Sequence, residues 1–160
     1  MSVLNNIQID RALSSNKYTK RYFIGVFSRD TVPDLTNEWR QRPVCFIVNT
    51  AKTSELGKHW LAFFIDRQNK CDFFDSYGHP PEFFRFKTYI LRHCNSYSYN
   101  ARKLQEYGST YCGYYCLFFL YYRCIGKTLA DYLRICSKSA RENDLEIKKQ
   151  IYKYKLQDYF

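Results

Sequence analysis

The stretch 104–124, LQEYGSTYCGYYCLFFLYYRC, constrains this chain more than any other. It begins as a polar loop, passes through Cys112-Gly113, and from Tyr114 to Tyr122 holds only aromatic residues, Leu and Cys. A helix with no polar face belongs in the middle of a domain, so a central helix is expected here with the rest of the chain packed around it. Cys112 falls where loop becomes helix, at the one end of that buried element reached from solvent. There the positive end of the helix dipole and unpaired backbone N–H groups favour a thiolate, as a nucleophilic cysteine requires. Taken alone, the same cysteine also reads as a small apolar side chain at a helix start.

Two other pieces bear on that choice. His59-Trp60 heads the apolar run HWLAFFI (59–65), and Asp75 ends the run CDFFD (71–75) ahead of the turn residues SYGHPP. If both runs are strands joined by DRQNK, His59 and Asp75 lie on neighbouring strands near one edge. Gln105 stands seven residues before Cys112, across a Gly/Ser/Thr loop. A base, an acid to orient it, an amide donor and a thiol at a helix start make a complete acyl-transfer set. Each has rivals. His79 precedes Pro-Pro in a turn, and His93 ends an expected helix. Asp72 and Asp75 are three apart on a strand, so they face opposite ways and only one can serve. Cys116, one helical turn beyond Cys112, suggests a Cys-x3-Cys metal pair, but no matching His or Cys pair completes a zinc site. Cys116 therefore reads as core, and no metal is expected.

The set HW…D…Q-x6-C-G resembles the adenovirus protease (adenain) family, relatives of the SUMO and other ubiquitin-like-protein proteases. FIGVF (23–27), IVNTA (47–51) and HWLAF (59–63) resemble adenain segments in the same order, so the likeness spans roughly residues 5–125. The six-residue gap between Gln105 and Cys112 is the adenain spacing, where SUMO proteases usually have five. Short proteases of Polinton/Maverick and adintovirus-type elements look similar too. Adenain usually has Glu where this chain has Asp75; the SUMO proteases have Asp, so the acid role is kept. The resemblance selects Asp75 over Asp72. It implies an α+β cysteine-protease fold, a mixed central sheet with a buried nucleophile-bearing helix and flanking helices. It assigns the thiolate to Cys112, the base to His59, the orienting acid to Asp75 and an oxyanion donor to Gln105, beside the Cys112 backbone N–H. It further implies cleavage next to Gly, in a cleft for which Trp60 and, less directly, Tyr111 are the candidate walls.

Length and composition agree with one domain over residues 1–160. Sixteen Tyr and thirteen Phe with a single Met predict a core built of rings, some of which must line a cleft or the surface. Seven cysteines cannot all pair within one chain, and no secretory signal is seen, so a reducing intracellular setting is expected. No apolar run reaches the ~18 residues of a membrane span. The net charge of +10 is uneven: 11 Lys/Arg against 8 Asp/Glu in residues 1–80, but 14 against 7 in residues 81–160. That excess fits an anionic partner or a solubilising surface equally.

In chain order the pattern predicts a short helix over 5–13 capped by Asn, a strand at 21–27, and a long polar loop over 28–43 carrying Trp39. A buried strand follows at 44–49, then a loop over 50–58, strands at 59–65 and 71–75, and a helix over 81–94 with Phe84, Thr88 and Leu91 on one face. An edge strand is expected within 97–104, and a short helix over 128–136 after the central one. Residues 143–158 read as a helix with an Asn143/Glu146 capping box, facing Ile147 and Ile151 inward and Lys148, Lys149, Lys153 and Lys155 elsewhere.

The leading functional expectation is a viral-type maturation endopeptidase, cutting structural precursors in the virion or host nucleus as a monomer. A protease for ubiquitin-like tails, which also end in Gly-Gly, is the alternative, and a basic nucleic-acid-binding protein the third. The resemblance also implies DNA as a cofactor, with the four lysines as candidate phosphate contacts. It implies an activating Cys-containing peptide as well: Cys94 lies eleven residues before Gln105, where adenain carries the cysteine that couples to such a peptide. Cys94 closes an expected amphipathic helix beside His93, so it reads either as partly exposed or as a helix-end cysteine packed against the core.

Overall fold

The computed structural model describes residues 1–36 and 40–160; Trp39 lies outside the described residues. Five strands form one mixed sheet in the spatial order β1 (Phe23–Ser28), β2 (Val44–Asn49), β3 (Trp60–Ile65), β4 (Lys70–Phe74), β5 (Ser96–Tyr99). β2, β3 and β4 are antiparallel neighbours, while β1 runs parallel to β2 and β5 parallel to β4. Alternation along β2 and β3 sends Cys45, Ile47, Ala62 and Phe64 to one face and Phe46, Val48, Leu61 and Phe63 to the other. Both faces are covered, which is why VCFIVN and WLAFFI carry no polar alternation.

On the first face lies α3 (Cys112–Cys124), buried from Gly113 to Tyr121. The apolar run of the sequence is thus the axis of the domain. A Cβ on Gly113 would stand 3.2 Å from both Leu4 Cβ and Trp60 Cδ1, so glycine lets the start of α3 close onto β3. α1 (Asn6–Ser15), capped reciprocally by Asn5 and Gln8, and α4 (Leu129–Ile135) and α5 (Ala140–Lys153) enclose this side. α2 (Lys87–His93) covers the opposite face through Ile90 and the preceding Phe86. The α+β class, the mixed sheet and the buried cysteine-bearing helix are as the sequence predicts. No described helix is long and apolar enough to cross a membrane.

Three expectations are corrected. The segment 81–94 is not one helix: a 3-10 turn over Pro81–Phe84 ends at Arg85 in the left-handed region (φ 63°), and α2 starts afresh at Lys87. The break resets the helical phase, so Phe86 and Ile90 face the core while Thr88 and Leu91 are exposed. The last helix starts earlier, at a Ser139/Glu142 capping box. Asn143 sits inside it, buried, its amide donating to Leu104 O at 3.2 Å and accepting from Lys138 N at 3.1 Å. That helix ends at Lys153, and Lys155 follows in the left-handed region (φ 54°) ahead of a 3-10 turn, Leu156–Tyr159. The expected edge strand is β5, four residues long and starting one residue earlier.

Candidate active site

The β3–β4 hairpin sets the site. Asp66 Oδ1 accepts the N–H groups of Gln68 and Lys70 at 2.9 Å, and Asn69 takes a left-handed φ of 62° to close the turn. The resulting register pairs Ala62 with Phe74. His59, one residue before β3, and Asp75, one residue after β4, therefore emerge at the same end of the sheet. His59 Nε2 donates to Asp75 Oδ1 at 2.6 Å.

Asp75 is wholly buried and receives four N–H donors. His59 Nε2 and the Tyr77 N–H (3.1 Å) reach Oδ1; the His79 N–H (3.1 Å) and His79 Nδ1 (2.8 Å) reach Oδ2. Burial raises its carboxyl, but the His59 hydrogen bond and charge, then Tyr77 and His79, outweigh this and hold it below the usual carboxylate value. The backbone of Asp75 is held as firmly: Asn100 Oδ1 accepts its N–H at 3.2 Å and Asn100 Nδ2 donates to its carbonyl at 2.6 Å.

The His59 ring lies between Tyr77 (centroids 5.3 Å apart) and Phe84 (6.2 Å). Burial disfavours the imidazolium, yet hydrogen bonds to Asp75 and Cys112, with the charges of both, push it up to about 9. With Nε2 committed to Asp75, Nδ1 is the nitrogen left for the thiol. Cys112 is the first residue of α3, and its N-cap Tyr111 offers no side-chain cap, so the first N–H groups of the helix stay available. The buried helix behind Cys112 holds the thiol against His59. Cys116 is core as expected, buried with its thiol on Trp60 O at 3.3 Å and pushed well up by burial. Asp72, the rejected acid, pairs with Arg123 Nε at 2.9 Å on α3.

A cavity of about 470 Å³ opens beside Cys112, walled by Trp60, Asn49, Gly57, Val26 and the N-terminal residues Val3 and Leu4, among others. Trp60, the first candidate for a cleft wall, lines this cavity and is fixed by Nε1–H donating to Leu4 O at 3.2 Å. Tyr111 does not line this cavity; its ring rests against Tyr114, 5.5 Å between centroids.

Gln105 is brought to the site loop but is fully buried and engaged. Its Oε1 accepts Ser76 Oγ at 2.6 Å, and its Nε2 donates to Ser109 O (2.8 Å) and Ser109 Oγ (3.0 Å). The amide therefore staples the loop ahead of Cys112 to the turn after Asp75. Cys94 is packed rather than exposed, the second of its two readings: it is buried at 7 % exposure on the far face, and a hydrogen bond from the Cys71 thiol holds its own thiol below the usual value. Lys149 and Lys153 project from α5 into solvent, Lys148 is half-buried, and Lys155 is exposed beyond the helix end. Among the described residues no group of three or more His, Cys, Asp or Glu is placed to hold a metal ion.

Reasoning from sequence missed His79, Asn100 and the Ser76/Ser109 pair. His79 had a visible signal, four residues after Asp75, but the following Pro-Pro marked it as turn only. Asn100 and Ser76 had none, because their partners lie 25 and 29 residues away; Ser109 stands four residues after Gln105, in a loop whose turn the sequence does not specify.

No family model matches the chain. In sequence it is similar to the protease of Human adenovirus B serotype 3, at 29% identity over 114 residues, 62% of this chain and 53% of that protein. The chain thus spans about half the length of the curated relative it matches. In fold it is similar to the ASFV pS273R protease, with a TM-score of 0.62 and 21% identity over 99% of this chain and 67% of that one. The central domain of Lpg1148 from Legionella pneumophila shares the fold at a TM-score of 0.52 and 12% identity, covering 99% of both chains. The adenain-like resemblance read from the motif set therefore holds in sequence and in fold.

Proposed function

We propose that this chain is a cysteine endopeptidase that cleaves viral or virus-like structural precursors at Gly-containing sites during particle maturation. The observation that carries the reading is the line from Asp75 through His59 to Cys112 at the solvent end of a buried helix. Similarity to an adenovirus protease supports it.

In this reading the Cys112 thiolate attacks the scissile carbonyl while the His59 imidazolium balances its charge. The developing oxyanion takes the Cys112 backbone N–H and, once it exchanges a contact with Ser109, the Gln105 amide. His59 gives its proton to the leaving amine as the C–N bond breaks, leaving a thioester. It then takes a proton from water, whose oxygen attacks the thioester and frees Cys112. Asp75 keeps Nε2–H on its own side throughout, so Nδ1 always faces the reaction. Trp60 narrows the cleft at Cys112, favouring a residue without a side chain.

Two cofactors belong to the reading. DNA would lie along the lysines of α5, Lys148, Lys149 and Lys153, with Lys155 beyond. A Cys-containing peptide carried as a mixed disulfide would add to the outer edge of β5 and, once the end of α2 opens, exchange onto the Cys94 thiolate with release of the other thiol. A second reading, processing of ubiquitin-like proteins, is favoured by Asp rather than Glu at position 75. Incubating the purified protein with peptides bearing Gly-Gly, and separately with a ubiquitin-like precursor, tests both. Cleavage of neither by the wild-type chain, with or without DNA, would overturn the proposal.

A further inference from the structure

We infer that His79 is a positioning residue for the catalytic acid, acting through Asp75 on the charge state of His59 and Cys112. The inference rests on the reading of Cys112 as nucleophile. A carboxylate offers about four lone-pair sites, and in Asp75 all are filled, two of them by His79 through its backbone N–H and its Nδ1. The two imidazoles divide the carboxylate, His59 on Oδ1 and His79 on Oδ2. With Oδ2 tied down from both the backbone and the ring of His79, the carboxylate cannot turn, and Oδ1 stays aimed at His59 Nε2.

The two rings differ in what they are free to do. His59 is enclosed between Tyr77 and Phe84, whereas the His79 side chain is 41% exposed and stacks on Phe83, centroids 4.1 Å apart and planes 16° from parallel. Protons from solvent therefore reach His79 directly. The groups facing its ring are Asp75 from the end of β4 and the apolar rings of Phe83 and Phe84 from the Pro81–Phe84 turn. The one carboxylate on that turn, Glu82, is occupied by Tyr97 and Lys87. Across Asp75 stand His59 and, over it, the Tyr77 ring.

Asp75 is thus the single anion shared by both imidazoles. When His79 is neutral, the carboxylate charge serves His59 alone and holds its proton, which keeps Cys112 as thiolate. When His79 takes a proton, a second cation draws on the same anion and repels the first. The His59 proton is then held less tightly, and the neutral thiol–imidazole pair gains population. The direction follows: acid should lower Cys112 reactivity in a step that belongs to His79, separate from protonation of the thiolate itself.

The test is the rate of Cys112 alkylation by iodoacetamide, read by mass spectrometry on the peptide that carries it, across pH for wild type, His79→Asn and His79→Leu. Asn places an amide N–H where Nδ1 was and cannot take up a proton; Leu has neither property. At neutral pH we expect His79→Leu to slow alkylation about 10-fold, the scale of coupling within one hydrogen-bond network, and His79→Asn to stay within about threefold of wild type. On the acid side the wild-type profile should show an extra inflection that His79→Asn lacks, so that this variant becomes the more reactive of the two. Thermal unfolding of all three checks folding; should His79→Leu not fold, the His79→Asn profile still decides. Superimposable wild-type and His79→Asn profiles, or His79→Leu matching wild type throughout, would overturn the inference. Wild-type Cys112 reacting no faster than a free thiol would instead overturn the nucleophile assignment on which it rests.

Discussion

Asn100 grips Asp75 by its backbone, accepting its N–H at 3.2 Å and donating to its carbonyl at 2.6 Å. Each residue lies one step beyond its strand, Asp75 after β4 and Asn100 after β5. The side-chain amide thus continues the β4–β5 ladder where the backbones part, and fixes the acid before its carboxylate makes any contact. Asn100→Ala should leave two buried backbone groups unsatisfied and cost about 1–3 kcal/mol per group at most. Urea unfolding measures the loss, and kcat should fall with it while KM holds.

Asp75→Asn keeps the shape of the acid and removes its charge. The His59 imidazolium, held up to about 9 against its burial by Asp75 and Cys112, should then lose its proton at lower pH. The alkaline limb of kcat/KM should move down in pH, and kcat should drop about 10²–10⁴-fold. Stability follows the same groups with opposite signs. His59 is raised in the folded state, so its contribution is complete below its ordinary value of 6.5 and is lost as pH rises through about 9. Asp75 is lowered, so its contribution is complete above 3.8 and is lost as pH falls through its depressed folded value. Tm should therefore be flat between pH 3.8 and 6.5 in wild type, and its alkaline fall should be smaller in Asp75→Asn and end at lower pH.

Gln105 and Ser109 separate two roles of one amide. If Gln105 supplies an oxyanion donor, Gln105→Ala should cost about 10²–10³-fold in kcat. Ser109→Ala removes one of the two acceptors that occupy Nε2 and should leave kcat near wild type or raise it. Equal losses in both variants would make Gln105 a loop staple alone.

The lysines of α5 give a salt test for DNA. Removing one lysine that neutralises a phosphate should reduce the slope of log K against log salt by about 0.9 on duplex. A Lys149→Ala/Lys153→Ala pair, both exposed on α5, should lower the slope by roughly twice that. A slope unchanged by the pair would place any DNA binding elsewhere.

The candidate catalytic line was legible because its parts leave local marks: an all-apolar helix behind Cys112, an apolar strand behind His59, a turn after Asp75. What escaped depends on chain reversal. Asn143 with Glu146 mimics a cap, yet Ser139 with Glu142 stands four residues earlier with the same spacing and wins, because Asn143 is needed inside to bind Leu104 O. The Phe84/Leu91 face failed because a left-handed Arg85 shifts the phase, and nothing in the pattern of apolar residues announces such a break. An amphipathic pattern leaves open whether Cys94 at its end faces solvent or core, and the end of α2 turns it inward onto Cys71. His79 reads as a turn residue until the fold puts its ring on the carboxylate four residues back.

The central claim is that Cys112, not a neighbouring thiol, is the nucleophile of a peptidase. The direct measurement is cleavage of a Gly-Gly peptide by wild type, Cys112→Ala and Cys116→Ala, each checked for folding. Wild type should release the product with a C-terminal glycine, Cys112→Ala should release none, and Cys116→Ala, changing a core thiol on Trp60 O, should retain most turnover. Cleavage surviving in Cys112→Ala but lost in a folded Cys116→Ala would contradict the account.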